Sequence, residues 1–150
     1  MMVYSLSVNQ NDTTFADFTQ MRVQHYNRTE RVWAGNMTFF VDVGDEFEVE
    51  SRLYKNIGNQ YQQTPFKRPR STFCDYARNN ELFDDMRQVS NLPVKGVCPW
   101  PKGTYEIYGY NINIDRMQPY FVGDYMVETS FYENDKQLNG YQLFVTVIES

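Results

Sequence analysis

Histidine occurs once and cysteine only twice in these 150 residues, too few donors for a four-ligand zinc site. The two cysteines, Cys74 and Cys98, also lie too far apart for a CxxC redox motif. There is no GxSxG nucleophile elbow, no phosphate-binding P-loop and no GxGxxG turn. His25 falls at an inward position of an apparent strand, where a core role is expected before a general base. Acidic residues are numerous enough that any carboxylate pair chosen for glycoside hydrolysis would be arbitrary. The chain is therefore expected to be no enzyme and to need neither metal nor cofactor.

Long apolar runs are missing too. No stretch of 18 apolar residues exists, so no helical membrane span is expected. Positive charge is in deficit, with 14 Lys and Arg against 19 Asp and Glu, a net charge of −5 and a pI near 4.8. Nucleic-acid binding needs clustered cations to neutralise phosphates, so no nucleic-acid partner is expected. The one basic cluster, Lys67-Arg68-Pro69-Arg70, is short and proline-broken, and reads as a solvated linker. The opening "MMVYSLSVNQND" has no basic n-region and reads as a mature chain with an initiating Met.

Aromatic residues, by contrast, are abundant: 17% of the chain, with twelve Tyr and eleven Phe. Such side chains favour strands, and period-two alternation dominates. Strands are expected at 2–8, 19–26, 36–43, 47–55, 104–114, 124–133 and 141–149. Gly44-Asp45 reads as a tight turn joining 36–43 and 47–55 into a hairpin. Further turns are expected at Gln118-Pro119, Asn134-Asp135 and Asn139-Gly140. Residues 56–70 are polar, carry two prolines and show no period, as a crossing loop would. Both faces of the last strand are apolar, which places it centrally.

Only one segment reads as helical. Thr72 with Asp75 resembles a capping box, and Phe73, Tyr76 and Ala77, then Phe83, Met86 and Val89, recur at helical spacing. One bent helix or two short ones should cover about 72–90, with Glu81, Asp84 and Asp85 on a solvated face. The expected fold is mainly β: a single domain over 1–150, built as an antiparallel two-sheet sandwich or cup with one helical segment inserted.

Three N-x-[ST] acceptors, at Asn11, Asn27 and Asn36, lie in the first quarter of the chain and point to secretion and glycosylation. A Cys74–Cys98 disulfide fits that compartment, with two buried free thiols as the alternative. Paired, they would close a loop of about 25 residues, for which chain entropy gives ~3.5 kcal/mol.

The stretch "CPWPKGTYEIYGYNINI" carries aromatics on both strand faces, with Tyr105 and Ile107 on one side and Tyr108, Tyr110, Ile112 and Ile114 on the other. Gly109 could mark a bulge that resets this alternation. A two-sheet fold needs only its inner face filled. Surplus apolar side chains either thicken a solid core or line a cavity.

The segments "YNRTERVWAGNMTFFVDV", "FCDYARN", "SNLPVKGVCPWPKGTYEI" and "MQPYFVGDYMVETSFYENDKQLNGYQLFVTV", in this order over about 26–150, resemble the insect CheB-like secreted domains. Those are relatives of the ML lipid-recognition superfamily that includes the ganglioside activator. The resemblance implies an ML-like, immunoglobulin-like cup holding a lipid or other apolar molecule. It thus implies a secreted, extracellular carrier or presenter of a lipid, hydrocarbon or pheromone-like cue in insect chemosensation, with a membrane receptor or membrane surface as a transient partner. Expected wall residues are Phe39, Val41, Phe47, Val49, Tyr105, Ile107, Tyr125, Val127, Phe131, Leu143 and Val145, with Trp100, Tyr120 and Phe121 near the mouth. The competing readings are a solid-cored interaction module that docks a receptor, and a sugar-binding sandwich stacking its ligand on Trp33 and Trp100. Many superfamily members carry several disulfides; only one is available here.

Overall fold

The computed structural model describes residues 2–10, 12–25, 31–111 and 122–149. The chain builds nine strands: β1 (Met2–Asn9), β2 (Ala16–Asp17), β3 (Arg22–His25), β4 (Arg31–Phe39), β5 (Phe47–Ile57), β6 (Gln60–Thr72), β7 (Gly103–Tyr110), β8 (Gly123–Glu133) and β9 (Lys136–Ile148). Two short helices, α1 (Phe73–Arg78) and α2 (Glu81–Met86), and a 3-10 turn at Arg87–Val89 follow β6. Among the described residues, no helix is long and apolar enough to cross a membrane.

The strands form two antiparallel sheets. The larger has the order β1-β9-β8-β5-β6. In the smaller, β4 pairs with β2 at Phe39 and Thr38, with β3 at 31–34, and with β7 along its opposite edge. One apolar core joins the inner faces of both sheets and the helical segment. The last strand is internal, between β1 and β8, as its two apolar faces require.

The expected hairpin of 36–43 with 47–55 does not form. Strand β4 ends at Phe39, and β5 belongs to the other sheet, so Gly44-Asp45 turns a corner between layers. Alternation continues through this corner because Val43 pairs with Trp100 in an isolated bridge and is buried. Val41 lies in the bend and is 39% exposed, so it walls nothing.

Residues 60–72, expected as loop, are instead strand β6, joined to β5 through Gly58-Asn59, both at positive φ. The strand hides from pattern reading because it is an edge strand with almost every residue exposed. Register shifts against β5 fall where Pro65 and Pro69 sit, so neither proline breaks the ladder. The basic cluster 67–70 therefore lies on a sheet edge.

Asn134 and Asp135 make the β8–β9 turn, both with φ near +60° (51° and 63°). Asn139-Gly140 is no turn. Gly140 lies inside β9, one position beyond a register shift at Phe131/Tyr132, and a Cβ there would meet the Thr129 carbonyl oxygen at 2.7 Å. His25 ends β3 at the surface, because the short β3 runs out at its pairing with Arg31. The expected turn at Gln118-Pro119 and the positions of Ile112 and Ile114 lie outside the described residues.

The helical segment forms as two short pieces. Thr72 caps α1 by accepting from the Asp75 N–H at 3.3 Å, and Asn80 caps α2 by accepting from Leu82 at 3.1 Å. Cys74 and Cys98 are joined in a disulfide with Cα atoms 5.8 Å apart, tying α1 to the segment before β7.

Candidate functional site

Between the two sheets and beneath the helical segment lies a cavity of about 400 Å³. Its floor is the inner face of the large sheet, with Leu6, Leu53, Val127, Phe131, Leu143 and Val145. The register explains this row: Leu53 pairs with Val127, Val127 with Leu143, and Leu6 with Val145. Trp33, Met37 and Phe39 of β4 form the opposing wall. Phe73, Tyr76, Phe83 and Met86 of the helices close one side with Trp100.

One end is plugged by aromatic rings. Phe15 lies 4.9 Å from Phe47, 5.3 Å from Phe131 and 6.1 Å from Phe39, centroid to centroid, and Phe18 lies 4.5 Å from Tyr141. This plug is held by β2 and its turns. Gln10 reaches into it, donating to the Ala16 carbonyl and accepting from the Phe18 N–H. Gly35 permits the close approach: its φ is +120°, and a Cβ there would run into the Gln20 carbonyl oxygen.

A polar rung crosses the otherwise apolar lining. Ser51 and Thr129, at paired positions of β5 and β8, share a hydrogen bond of 3.1 Å. The Tyr76 hydroxyl is hydrogen-bonded to Ser51 and Asn80, and the Tyr141 hydroxyl to Thr129. Asn80 is 4% exposed and Thr129 2%. Burial pushes the Tyr76 and Tyr141 hydroxyls above the ordinary phenol range. Near the opposite wall, Tyr110 donates to Asp85 Oδ2 at 3.2 Å.

The raised phenol values carry a pH consequence. A tyrosine whose proton is held more tightly in the native state contributes fully below its unfolded value, near pH 10, and that contribution is lost as pH climbs toward the folded value. Stability should therefore fall above about pH 10, by at most about 1.4 kcal/mol per pH unit for each such group. Urea midpoints measured at pH 9 and pH 11 check this: the drop should be smaller in Tyr141→Phe than in the native chain, and an equal drop would contradict the assignment.

Of the residues expected as cavity wall, Phe39, Val127, Phe131, Leu143, Val145 and Trp100 line it. Phe47, Val49, Ile107 and Tyr125 are buried, and Tyr105 is half-buried, but none borders the cavity. They belong to solid core: Phe47 packs on Phe15, and Tyr105 on Trp100 and Phe39. Tyr120 and Phe121 lie outside the described residues. Trp100 is no exposed mouth residue: at 1% exposure it sits under the helices. Trp33 is 7% exposed, so neither indole offers an open stacking platform.

The question of the two-faced aromatic strand is answered by a bulge. Trp33 pairs with Tyr110 but Gly35 with Ile107, so β7 spends one extra residue there. Tyr105, Ile107 and Tyr110 consequently all turn inward, while Tyr108 is 58% exposed.

Sequence reading missed Phe18, Met21, Trp33 and Met37 as wall, and the hydroxyl rung altogether. Trp33 and Met37 fall on the same β4 face as Phe39 apart from the irregularity at Gly35, so alternation alone could have found Met37. Nothing local signals that Phe18 closes the end. Of the acidic trio, Glu81 is exposed and Asp84 pairs with Arg87 at 2.9 Å and Lys95 at 3.3 Å; Asp85 instead faces the cavity. Of the acceptor asparagines, Asn36 is exposed on β4; Asn11 and Asn27 lie outside the described residues.

No curated protein matches the chain. A family model described as a protein of unknown function, DUF1091, matches residues 47–127, from the first residue of β5 to the middle of β8. That span contains the disulfide, the helical segment and half of the cavity lining. The chain belongs to the DUF1091 family.

Proposed function

We propose that this protein is a secreted, non-enzymatic carrier or presenter of a small apolar ligand, held between its two sheets. The observation that carries this reading is the cavity of about 400 Å³, walled by aromatic and aliphatic side chains from both sheets and crossed by a single polar rung. That is the size and make-up of a small-molecule pocket. Binding energy would come from removing ligand surface from water: an alkyl tail burying about 300 Å² gains ~7 kcal/mol before ordering costs. The disulfide suits an oxidising, extracellular setting. The resemblance to CheB-like and ML domains adds a lipid, hydrocarbon or pheromone-like ligand, an insect chemosensory fluid, and a transient membrane or receptor partner that accepts the cargo.

Native mass spectrometry of protein from insect cells is the direct test. Co-purifying apolar material is expected; a homogeneous unliganded mass, with no uptake of an apolar fluorescent probe, would favour a receptor-docking module instead. Val127→Asp, which puts a carboxylate on the cavity floor, should weaken probe binding at least tenfold, about 1.4 kcal/mol. Val41→Asp, on the exposed bend, should leave it unchanged. Equal affinities of the two variants, both folded by circular dichroism, would remove the floor from the site.

A further inference from the structure

The polar groups facing the cavity are matched within the protein. Ser51 is paired with Thr129, Tyr76 with Ser51 and Asn80, Tyr141 with Thr129, and Tyr110 with Asp85. Trp33 is the exception. Its side chain lines the cavity, is 7% exposed, and its Nε1–H has no hydrogen-bond partner among the described residues. A buried indole usually satisfies its N–H, and an orphaned one carries a desolvation penalty that nothing offsets. Local structure explains the vacancy in its pairing. Strand β4 sets Trp33 between Val23 of β3 and Tyr110 of β7. Val23 has no side-chain acceptor, and Tyr110 directs its hydroxyl proton to Asp85.

We propose that Trp33 Nε1–H is the polar anchor of this cavity, donating to one neutral oxygen acceptor, such as a carbonyl or ester, on an otherwise apolar ligand. The proposal rests on the carrier reading and narrows its ligand class. An indole N–H can only donate, so the ligand must accept. The acceptor is neutral because an ionised carboxylate brought to so dry a site would lose its hydration against a single neutral donor. A pure hydrocarbon fills the space but leaves the N–H orphaned. An oxygenated chain of the same length removes that penalty, and a site with an unmet polar group discriminates between the two more sharply than one measuring chain length.

The test compares a long-chain methyl ketone, the alkane of equal length and the corresponding carboxylate as competitors of an apolar fluorescent probe. The ketone should bind about ten- to a hundredfold more tightly than the alkane. Trp33→Phe, which keeps an aromatic ring and deletes the donor, should bring the two affinities together by weakening the ketone alone. The indole N–H proton resonance that is missing in Trp33→Phe should move downfield when the native protein takes up the ketone and stay in place with the alkane. This resonance, once assigned by ketone-selective shift in the native protein, carries the test even should the variant misfold. Equal affinity of ketone and alkane, or a preference that survives Trp33→Phe, overturns the anchor. Tighter binding of the carboxylate overturns its neutrality. Failure of all three to displace the probe, or of the probe to bind, removes the carrier reading and the anchor with it.

Discussion

Trp100→Ala should lower the free energy of unfolding by about 3–5 kcal/mol, the cost of truncating a buried indole whose site cannot collapse. The residue is 1% exposed, and its ring lies 5.1 Å from Phe73, 5.5 Å from Phe83, 5.8 Å from Tyr105 and 6.2 Å from Phe39. It is thus the one side chain that touches α1, α2, β4 and β7 together. Its backbone is pinned separately by reciprocal hydrogen bonds with Val43, both 2.9 Å, so the void left by alanine has no easy way to close. Chemical denaturation followed by far-ultraviolet circular dichroism measures the effect. A loss below about 1 kcal/mol, the range of ordinary surface changes, would mean that the helices do not depend on this ring.

Replacing both Cys74 and Cys98 with serine should cost about 3.5 kcal/mol, the loop-closure entropy that the cross-link removes from the unfolded chain. The loop it closes contains both helices, which are six residues each and too short to stand without tertiary support. Loss of the bond should therefore show first in hydrogen exchange across 73–90, before the sheets are affected. Because Phe73, Tyr76, Phe83 and Met86 wall one side of the cavity, probe binding should weaken in the same variant. Uniform acceleration of exchange over the whole chain, with no preference for the helical segment, would contradict a staple of local consequence.

The two effects differ in origin, which makes them separable. Trp100→Ala acts on the folded state by opening a void, whereas the cysteine replacement acts mainly on the unfolded ensemble. Both converge on the helical segment, which is why the segment is the weak side of the cavity.

Several elements could be read from the chain before any coordinates. The capped helical segment was legible because Thr72, Asp75 and Asn80 act within a few residues, and local chemistry needs no partner. The central position of β9 followed from apolar residues on both its faces, and the turn at Asn134-Asp135 from residues that tolerate positive φ. Strand β6 was hidden for the opposite reason: backbone hydrogen bonds to β5 hold it, and these leave no trace in side-chain polarity. The false hairpin of 36–43 and 47–55 arose because a tight turn has the same residues whether the chain then pairs with itself or crosses to another layer.

The candidate site divides along the same line. Which strand faces are greasy was set by alternation, so Phe39, Val127, Phe131, Leu143 and Val145 were found. Phe47 and Val49 share that pattern yet lie in solid core, because Phe15 arrives from a distant segment to fill the space beside Phe47. The bulge in β7 decided that Tyr110 joins Ile107 on the inner side.

The sequence by itself determined a mainly β chain with a short helical insertion, an inner surface richer in aromatics than two packed sheets require, and a single cross-link. Those follow from period, composition and nearest-neighbour chemistry. Only the tertiary structure decided where that surface is closed and where it stands open, and which buried polar group is left without a mate. Filling and pairing depend on side chains brought together from far apart in the chain, and no local pattern encodes the space left between them.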